Sequence, residues 1–520
     1  MKNKLKWCTF ILLSSLLVSC DIFISNKNSS EESETYSNSH STNLSFDFSS
    51  TTNDDKVYDV ATPGAAHQNT GTSIPLLNTA FNGNKEDYQT FNELHSTQLV
   101  DGTTRLNFTK NVQSLEYNEG YVTPSIGKIK GLVIPVDFKD NIMEDNENHT
   151  ASKADWQSVA SFYYNSSYGQ LDLSFDILDW YTCKYNASYY ANLKEGVYSG
   201  EVPGVSAIID EALSYYENKI DLSIYDNNHD GYIDSLYIVY NHAIDYTSDD
   251  PFWWAYQYGF FEEKTYDGVS PYGYMFAGYH FLFETNSFGN PTNCNTHTLI
   301  HESGHMFGLL DYYDYDSSVG CNKGGFGGAD LMDNTVGDHN AFSKISLGWI
   351  QNPIYVNFTK SQHEYIDIKL KPFETSGDVI LICDNYDASK GMFQSYFLLE
   401  YYTNTYLHEY DQIYNGEGIR LLRVHADLET FKENGYSYEY YKYDNSYTNL
   451  NLIDVICQDK TLEGLYTKKE YNTYCATANN LYRTNESRST LYYTSTSTSN
   501  YYFKVMDVNS DEATVRIYRK

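Results

Sequence analysis

Residues 296–316 read THTLIHESGHMFGLLDYYDYD, and this run limits the fold of the chain more tightly than any other. It sets two histidines, a glutamate and several aspartates among apolar residues spaced as in a buried helix. Burying so many polar groups costs free energy unless each finds a partner or an ion. On an α-helix His301 and His305 stand four residues apart, one turn above the other on the same face. Two imidazoles so placed can bind one Zn²⁺ from the same side. Glu302 then lies beside them, off the metal but within reach of a water there. Zinc lowers the pKa of such a water towards ~7, so a neighbouring carboxylate can take its proton. Gly308, three residues beyond His305, can adopt the left-handed conformation that ends a helix. The chain can then return Asp311 as a third ligand. Three protein ligands and a water make an open site of the catalytic kind, not a closed structural one. The apolar residues LI before the motif and MFGLL after it leave the same helix able to pack into a core.

A chain of 520 residues has room for two or three domains, or for one large domain with additions. Its 69 acidic and 35 basic residues give a formal charge of −34. That balance disfavours nucleic-acid or anionic-surface binding and favours solubility or tolerance of divalent cations. Many of the 53 tyrosines lie in the last third, as in YSYEYYKYDNSY. They fit either coding bias with strand and surface tyrosines, or a stacking surface for glycans or peptides. The opening MKNKLKWCTFILLSSLLVSCDIF has three lysines, an apolar run too short for an ordinary membrane span, and then Cys20. Its LVSC resembles a bacterial lipobox, in which the cysteine becomes the lipidated first residue after cleavage. The expectation is a signal peptide over 1–20 and a protein tethered to the membrane outside the cytoplasm by a lipid on Cys20. An ordinary secretory signal is the alternative.

Residues 21–60 are rich in Ser, Thr and Asn with few aliphatic side chains, and are expected to form a flexible stalk. The stretch 61–124 fits either a pro-segment or a small accessory unit, and order is expected from 125. GKIKGLVIPVDF reads as a buried strand. DWQSVASFYYNSSYGQLDLSFDILDWYT reads as an amphipathic helix, a Ser-Tyr-Gly turn and strands. PGVSAIIDEALSYYENK reads as a helix and DSLYIVYNH as a strand, with the motif helix around 290–313. From about 352 onward EYIDIKL, DVILICD, SYFLLEYY, IRLLRVHA, YYFKVMDV and ATVRIY mark mainly β structure. Six cysteines follow Cys20, none at zinc-ribbon spacing, so disulfides or free thiols fit them better than a cysteine metal site. A bridge between Cys294 and Cys321 would close a loop around the motif helix.

A second metal signal is DNNHDGYID. Asp226, Asn228, Asp230 and Asp234 take positions 1, 3, 5 and 9 of an EF-hand-like loop, with Gly231 at 6, a donor pattern that suits Ca²⁺. Position 12, normally a bidentate glutamate, is Tyr237, so the full EF-hand is not present. A solvated acidic turn is the other reading. Calcium there would be structural, holding a helix-to-strand connection.

Read as HExxHxxGxxD and followed by YYD, HESGHMFGLLD resembles the signature of the immune inhibitor A family of secreted bacterial zinc metallopeptidases. The metzincin pattern has histidine where this chain has Asp311. The similarity includes GLVIPVDFKD and IDLSIYDNNHDGYIDSLYIVYNH before the motif. After it come GGADLMDNTVGDHNAFSKISLGWI, YFLLEYY and GEGIRLLRVHAD, giving a span of about 125–430 with a weaker echo to 518. The resemblance implies an α+β fold. A zincin-like catalytic domain over 125–350, with a mixed twisted sheet over the active-site helix, would be followed by a β-rich region over 351–520. It also implies an endopeptidase acting on extracellular proteins or peptides, with zinc on His301, His305 and Asp311 and Glu302 as general base. Met332 matches the methionine under the metal in such folds. DDPFWWAYQYGF stands where the family has a tryptophan–histidine pair and lacks the histidine. No residue is marked as the oxyanion stabiliser; His339 and Tyr312 are candidates, with a structural role the leading reading for each. Fold does not guarantee activity, so the alternative is a surface binding protein or adhesin on a peptidase fold.

Overall fold

Unbroken apolar runs mark strands buried on both faces, and in this chain they build a mixed central sheet. The computed structural model describes residues 97–520 apart from 116–121, 144–155, 157–158, 195–201, 243–250, 280–282, 286–290, 295–296, 316–323, 334–336, 409–412, 415, 434–435 and 459–477. The expected signal peptide, Cys20, the stalk, most of 61–124 and the Cys294–Cys321 bridge lie outside the described residues or side chains. In the first sheet β1 (Gly127–Asp137) lies parallel to β2 (Leu171–Ile177). On its other side β1 pairs in parallel with β3 (Leu236–Tyr240). An outer strand, β4 (Tyr256–Gly259), is antiparallel to β5 (Gly273–Gly278), which is itself parallel to β3. Alternate residues of β1 divide between two cores. Leu132, Ile134 and Val136 pack with Val205, Ile208, Ile209 and Leu213 of the helix Pro203–Tyr216, whereas Ile129 and Val133 join the interior core.

That interior core also takes Leu299, Ile300 and Met306 from α1 (His297–Met306) and Phe342 and Ile345 from α2 (Ala341–Ser346). A second sheet closes it from the far side. There β6 (Ile354–Val356) is parallel to β7 (Val379–Ile382), followed in antiparallel order by β8 (Ser395–Tyr402), β9 (Gly418–His425) and β10 (Ile453–Val455). The short strand Thr103–Arg105 adds an antiparallel edge against β6. Along β8, Tyr396, Leu398 and Tyr402 face the interior core, while Phe397, Leu399 and Tyr401 face a third, antiparallel sheet formed by Tyr365–Leu370, Glu512–Arg519, Tyr501–Asn509 and Ser487–Arg488. The layers thus run helix, mixed sheet, motif helix, second sheet, third sheet. The chain is a mixed α/β molecule, mostly sheet with few helices, and its interior core is continuous across residue 350.

Two features differ from the sequence reading. Ordered structure, expected from 125, already includes 97–115, with the strand Thr103–Arg105 and the core residues Phe108, Val112 and Leu115. The motif helix spans His297–Met306 and not 290–313, because Pro291–Cys294 is a strand and Gly308 stops the helix. Gly308 adopts φ 98°. Its N–H bonds the carbonyl of His305 (2.9 Å), and that of Leu309 bonds Gly304 (3.0 Å), the geometry of a glycine C-cap. No helix among the described residues is long and apolar enough to cross a membrane.

Candidate metal centre

His301 and His305 stand on successive turns of α1, their rings 4.8 Å apart and nearly perpendicular. Each ring is oriented from behind. Nδ1 of His301 is 2.9 Å from the carbonyl of Leu331, and Nδ1 of His305 is 2.8 Å from that of Leu309. A carbonyl only accepts, so each Nδ1 carries the proton and each Nε2 of the neutral ring presents a lone pair. The two Nε2 atoms lie 3.2 Å apart. Oδ1 of Asp311 lies 3.0 Å from that of His301 and 3.2 Å from that of His305. Three lone-pair donors this close repel one another unless positive charge sits among them. A tetrahedral ion with bonds of about 2.0–2.2 Å sets neighbouring donors roughly 3.3–3.6 Å apart, slightly wider than the separations here. The donor types, their spacing and the carbonyl-held tautomers therefore fit a zinc-like ion. Among the described residues this is the only group of three His, Cys, Asp or Glu donors so gathered.

The electrostatics agree. Burial disfavours charge on Asp311, yet His305 and His301 hold its carboxyl well below the usual carboxylate range. Burial likewise opposes charge on His305, but the Asp311 carboxylate outweighs it, so with no ion between them this pair favours a positive charge on the imidazole. The site attracts positive charge. Glu302 is only 1% exposed, and neither carboxylate oxygen has a hydrogen-bond partner within the protein. Burial pushes its carboxyl up, with the two imidazoles pulling it partly back. A buried carboxylate without partners is costly, so this one is placed to meet a cation, a water or a substrate.

The turn Asp330–Asp333 supports the helix from below. A Cβ at Gly304 would lie 2.6 Å from Sδ of Met332, so glycine allows the methionine to pack directly against α1. Leu331 of the same turn orients His301, and the carbonyl of Met332 accepts the N–H of Tyr312 (2.7 Å), fixing the return of the chain that carries Asp311. The two oxyanion candidates are engaged as structural residues. The Tyr312 hydroxyl bonds Oγ of Ser343 (2.8 Å) and its ring stacks on Phe326. His339 is fully buried, with Nδ1 2.8 Å from Oγ of Ser166 and its ring enclosed by Phe162, Tyr163 and Trp349.

The 226–234 loop turns through His229 (φ 63°) and Gly231 (φ 93°), and its acids serve its own backbone. Asp226 accepts the N–H groups of Asp230 (3.0 Å) and Gly231 (2.9 Å). Asp230 accepts that of Tyr232 (3.0 Å) and the side-chain amide of Asn228 (3.0 Å), and Asp234 accepts that of Asn227 (2.5 Å). Asp226, Asp230 and Asp234 do not form one of the close three-donor groups found among the described residues, and their oxygens accept N–H groups of their own loop. One residue at the metal centre had no sequence signal beyond its spacing. Tyr315, four residues past Asp311, donates its phenol to Asp311 Oδ2.

No family model matches the chain, and no curated protein matches it. Among solved structures it is similar to metalloproteinase-II from Bacteroides fragilis, at 15% identity and a TM-score of 0.22, a likeness too slight to define the fold. The match covers 44% of this chain and 55% of that one, so the chain spans about half the length of this neighbour.

Proposed function

We propose that the chain is a zinc-dependent endopeptidase with a zincin-like catalytic region, acting on extracellular proteins or peptides. The observation that carries this is the convergence of His301 Nε2, His305 Nε2 and Asp311 Oδ1 within 3.2 Å of one another, beside a buried carboxylate without protein partners. The HExxHxxGxxD pattern, with its resemblance to the immune inhibitor A family, supports the same reading. His301, His305 and Asp311 would hold the ion, which when bound supplies Lewis acidity towards a carbonyl oxygen and makes a water acidic near neutral pH.

The remaining work falls to the chain. The carbonyls of Leu331 and Leu309 keep both imidazole protons on Nδ1, so both Nε2 atoms stay available as ligands. Glu302 accepts a proton from the attacking water and returns it to the departing amine as the peptide C–N bond breaks. Its burial favours the protonated form between the two transfers.

The test is digestion of a denatured casein-type substrate by the purified protein, with metal content measured in parallel. Chelation is expected to abolish cleavage and added zinc to restore it. Glu302→Gln is expected to lower the rate by about 10²–10⁴-fold at unchanged metal content. Full activity in that variant would sink the reading. The proposed location outside the cytoplasm rests on Cys20. Labelling cells with a tagged fatty acid is expected to mark the wild type and not Cys20→Ala, and equal labelling of both would remove the anchor.

A further inference from the structure

We infer that Tyr315 is the positioning residue for the third metal donor, and that the loop Asp444–Thr448 of the β-rich half holds it in place. The inference rests on the reading of His301, His305 and Asp311 as ligands, and it gives the β-rich half a part in the metal site.

Asp311 has two oxygens and the structure uses them differently. Oδ1 faces the Nε2 atoms of the two imidazoles at 3.0 and 3.2 Å, while Oδ2 accepts the phenol of Tyr315. A lone carboxylate ligand can rotate about its terminal torsion and exchange its oxygens. A hydrogen bond on one oxygen fixes which of them faces the metal, as outer partners of metal ligands commonly do. Tyr315 is itself restrained by residues more than a hundred positions away. Its N–H donates to Oγ of Ser446 (3.2 Å), and its ring stacks on Tyr447 at 6.0 Å with planes 17° apart. Ser446 in turn donates to the carbonyl of Tyr313 (3.2 Å). The neighbouring Asn445 amide donates to the carbonyls of Tyr312 (2.8 Å) and Ile453 (3.0 Å), tying the segment after Asp311 to β10. Asn445 and Ser446 are both buried. The loop therefore grips three of the four residues that follow Asp311 through their backbone, and a slack grip would release the carboxylate.

Tyr315→Phe removes one hydroxyl and keeps the ring stack. Zn²⁺ affinity of the full chain, read by competition with a chromophoric chelator, is expected to weaken about 10–100-fold. Melting of the metal-free protein is expected to stay close to wild type, which a packing role alone would not produce. Ser446→Ala, which touches no ligand, is expected to weaken Zn²⁺ binding in the same direction and to add little in the Tyr315→Phe background. Should Tyr315→Phe fold poorly, Ser446→Ala decides: wild-type affinity there overturns the loop's role. If wild type binds Zn²⁺ tightly and Tyr315→Phe binds it equally well, this inference falls and the ligand assignment stands. If wild type takes up no Zn²⁺, the ligand assignment fails first.

Discussion

Glycine inside a helix costs about 1 kcal/mol relative to alanine, and at Gly304 the cost has a packing cause. A methyl group there would meet Met332, whose turn orients His301 through Leu331 and holds Tyr312 through its own carbonyl. Gly304→Ala should therefore lower stability despite its better helix propensity, by about 1–3 kcal/mol of overpacking, read as a fall in the thermal midpoint. Pairing it with Met332→Ala should cost less than the sum of the two single changes. A midpoint equal to or above wild type would show that Met332 yields freely. At this scale much of the site was legible in the sequence. The shared face of His301 and His305, with Glu302 beside them, and the stop at Gly308 follow from helical geometry, and Asp311 was marked by the HExxHxxGxxD pattern. What was not legible has a common cause. The carbonyls of Leu331 and Leu309 are backbone groups that any residue supplies, and Tyr315 acquires its meaning only when the chain doubles back.

The second sheet buries charge as well as apolar surface on its inner side, and one acid there predicts a pH dependence. Glu374, in the short helix Phe373–Ser376, is fully buried and accepts the hydroxyls of Thr403 and Thr405. Burial lifts its carboxyl from 4.5 to about 7, the two hydroxyls offsetting only part of the effect. The folded chain thus keeps a proton that the unfolded chain has already lost. Stability from this group is fully present below pH 4.5 and is lost as pH rises through about 7. The difference corresponds to on the order of 3 kcal/mol. Glu374→Gln stays neutral, so its urea-unfolding profile should lack that decline, and parallel profiles for the two proteins would contradict the assignment. Elements were legible where one period dominates, as in β8, whose alternate residues serve two cores. Pairing was not, because the parallel match of β6 with β7 and the edge strand Thr103–Arg105 depend on partners far along the chain.

The N-terminal segment raises the question of what belongs to the folded body. Thr97 donates from both its N–H (2.7 Å) and its hydroxyl (2.6 Å) to buried Asp378, and the guanidinium of Arg105 lies 3.5 Å from the same carboxylate. Phe108, Val112 and Leu115 sit in the interior core. Two further contacts reach the C-terminal end of the motif helix. The amide of Gln113 donates to the carbonyl of Phe307 (2.7 Å), and the N–H of Thr123 to that of Met306 (2.6 Å), where a helix leaves carbonyls unpaired. A chain beginning at 125 would lose an edge strand, three core side chains and these two caps, and would strand the Asp378 charge. At about 1.5–3 kcal/mol for each large apolar side chain, the loss approaches the ~5–15 kcal/mol that holds a typical domain together. A chain of 125–520 is therefore expected to be insoluble, or to melt far below one of 97–520 with weakened zinc uptake. Equal melting and zinc affinity in the two would make 97–124 dispensable and restore a pro-segment reaching 124. If the segment is integral, any maturation cut must fall before Thr97, and N-terminal sequencing of the mature protein recovered from cells should find it there.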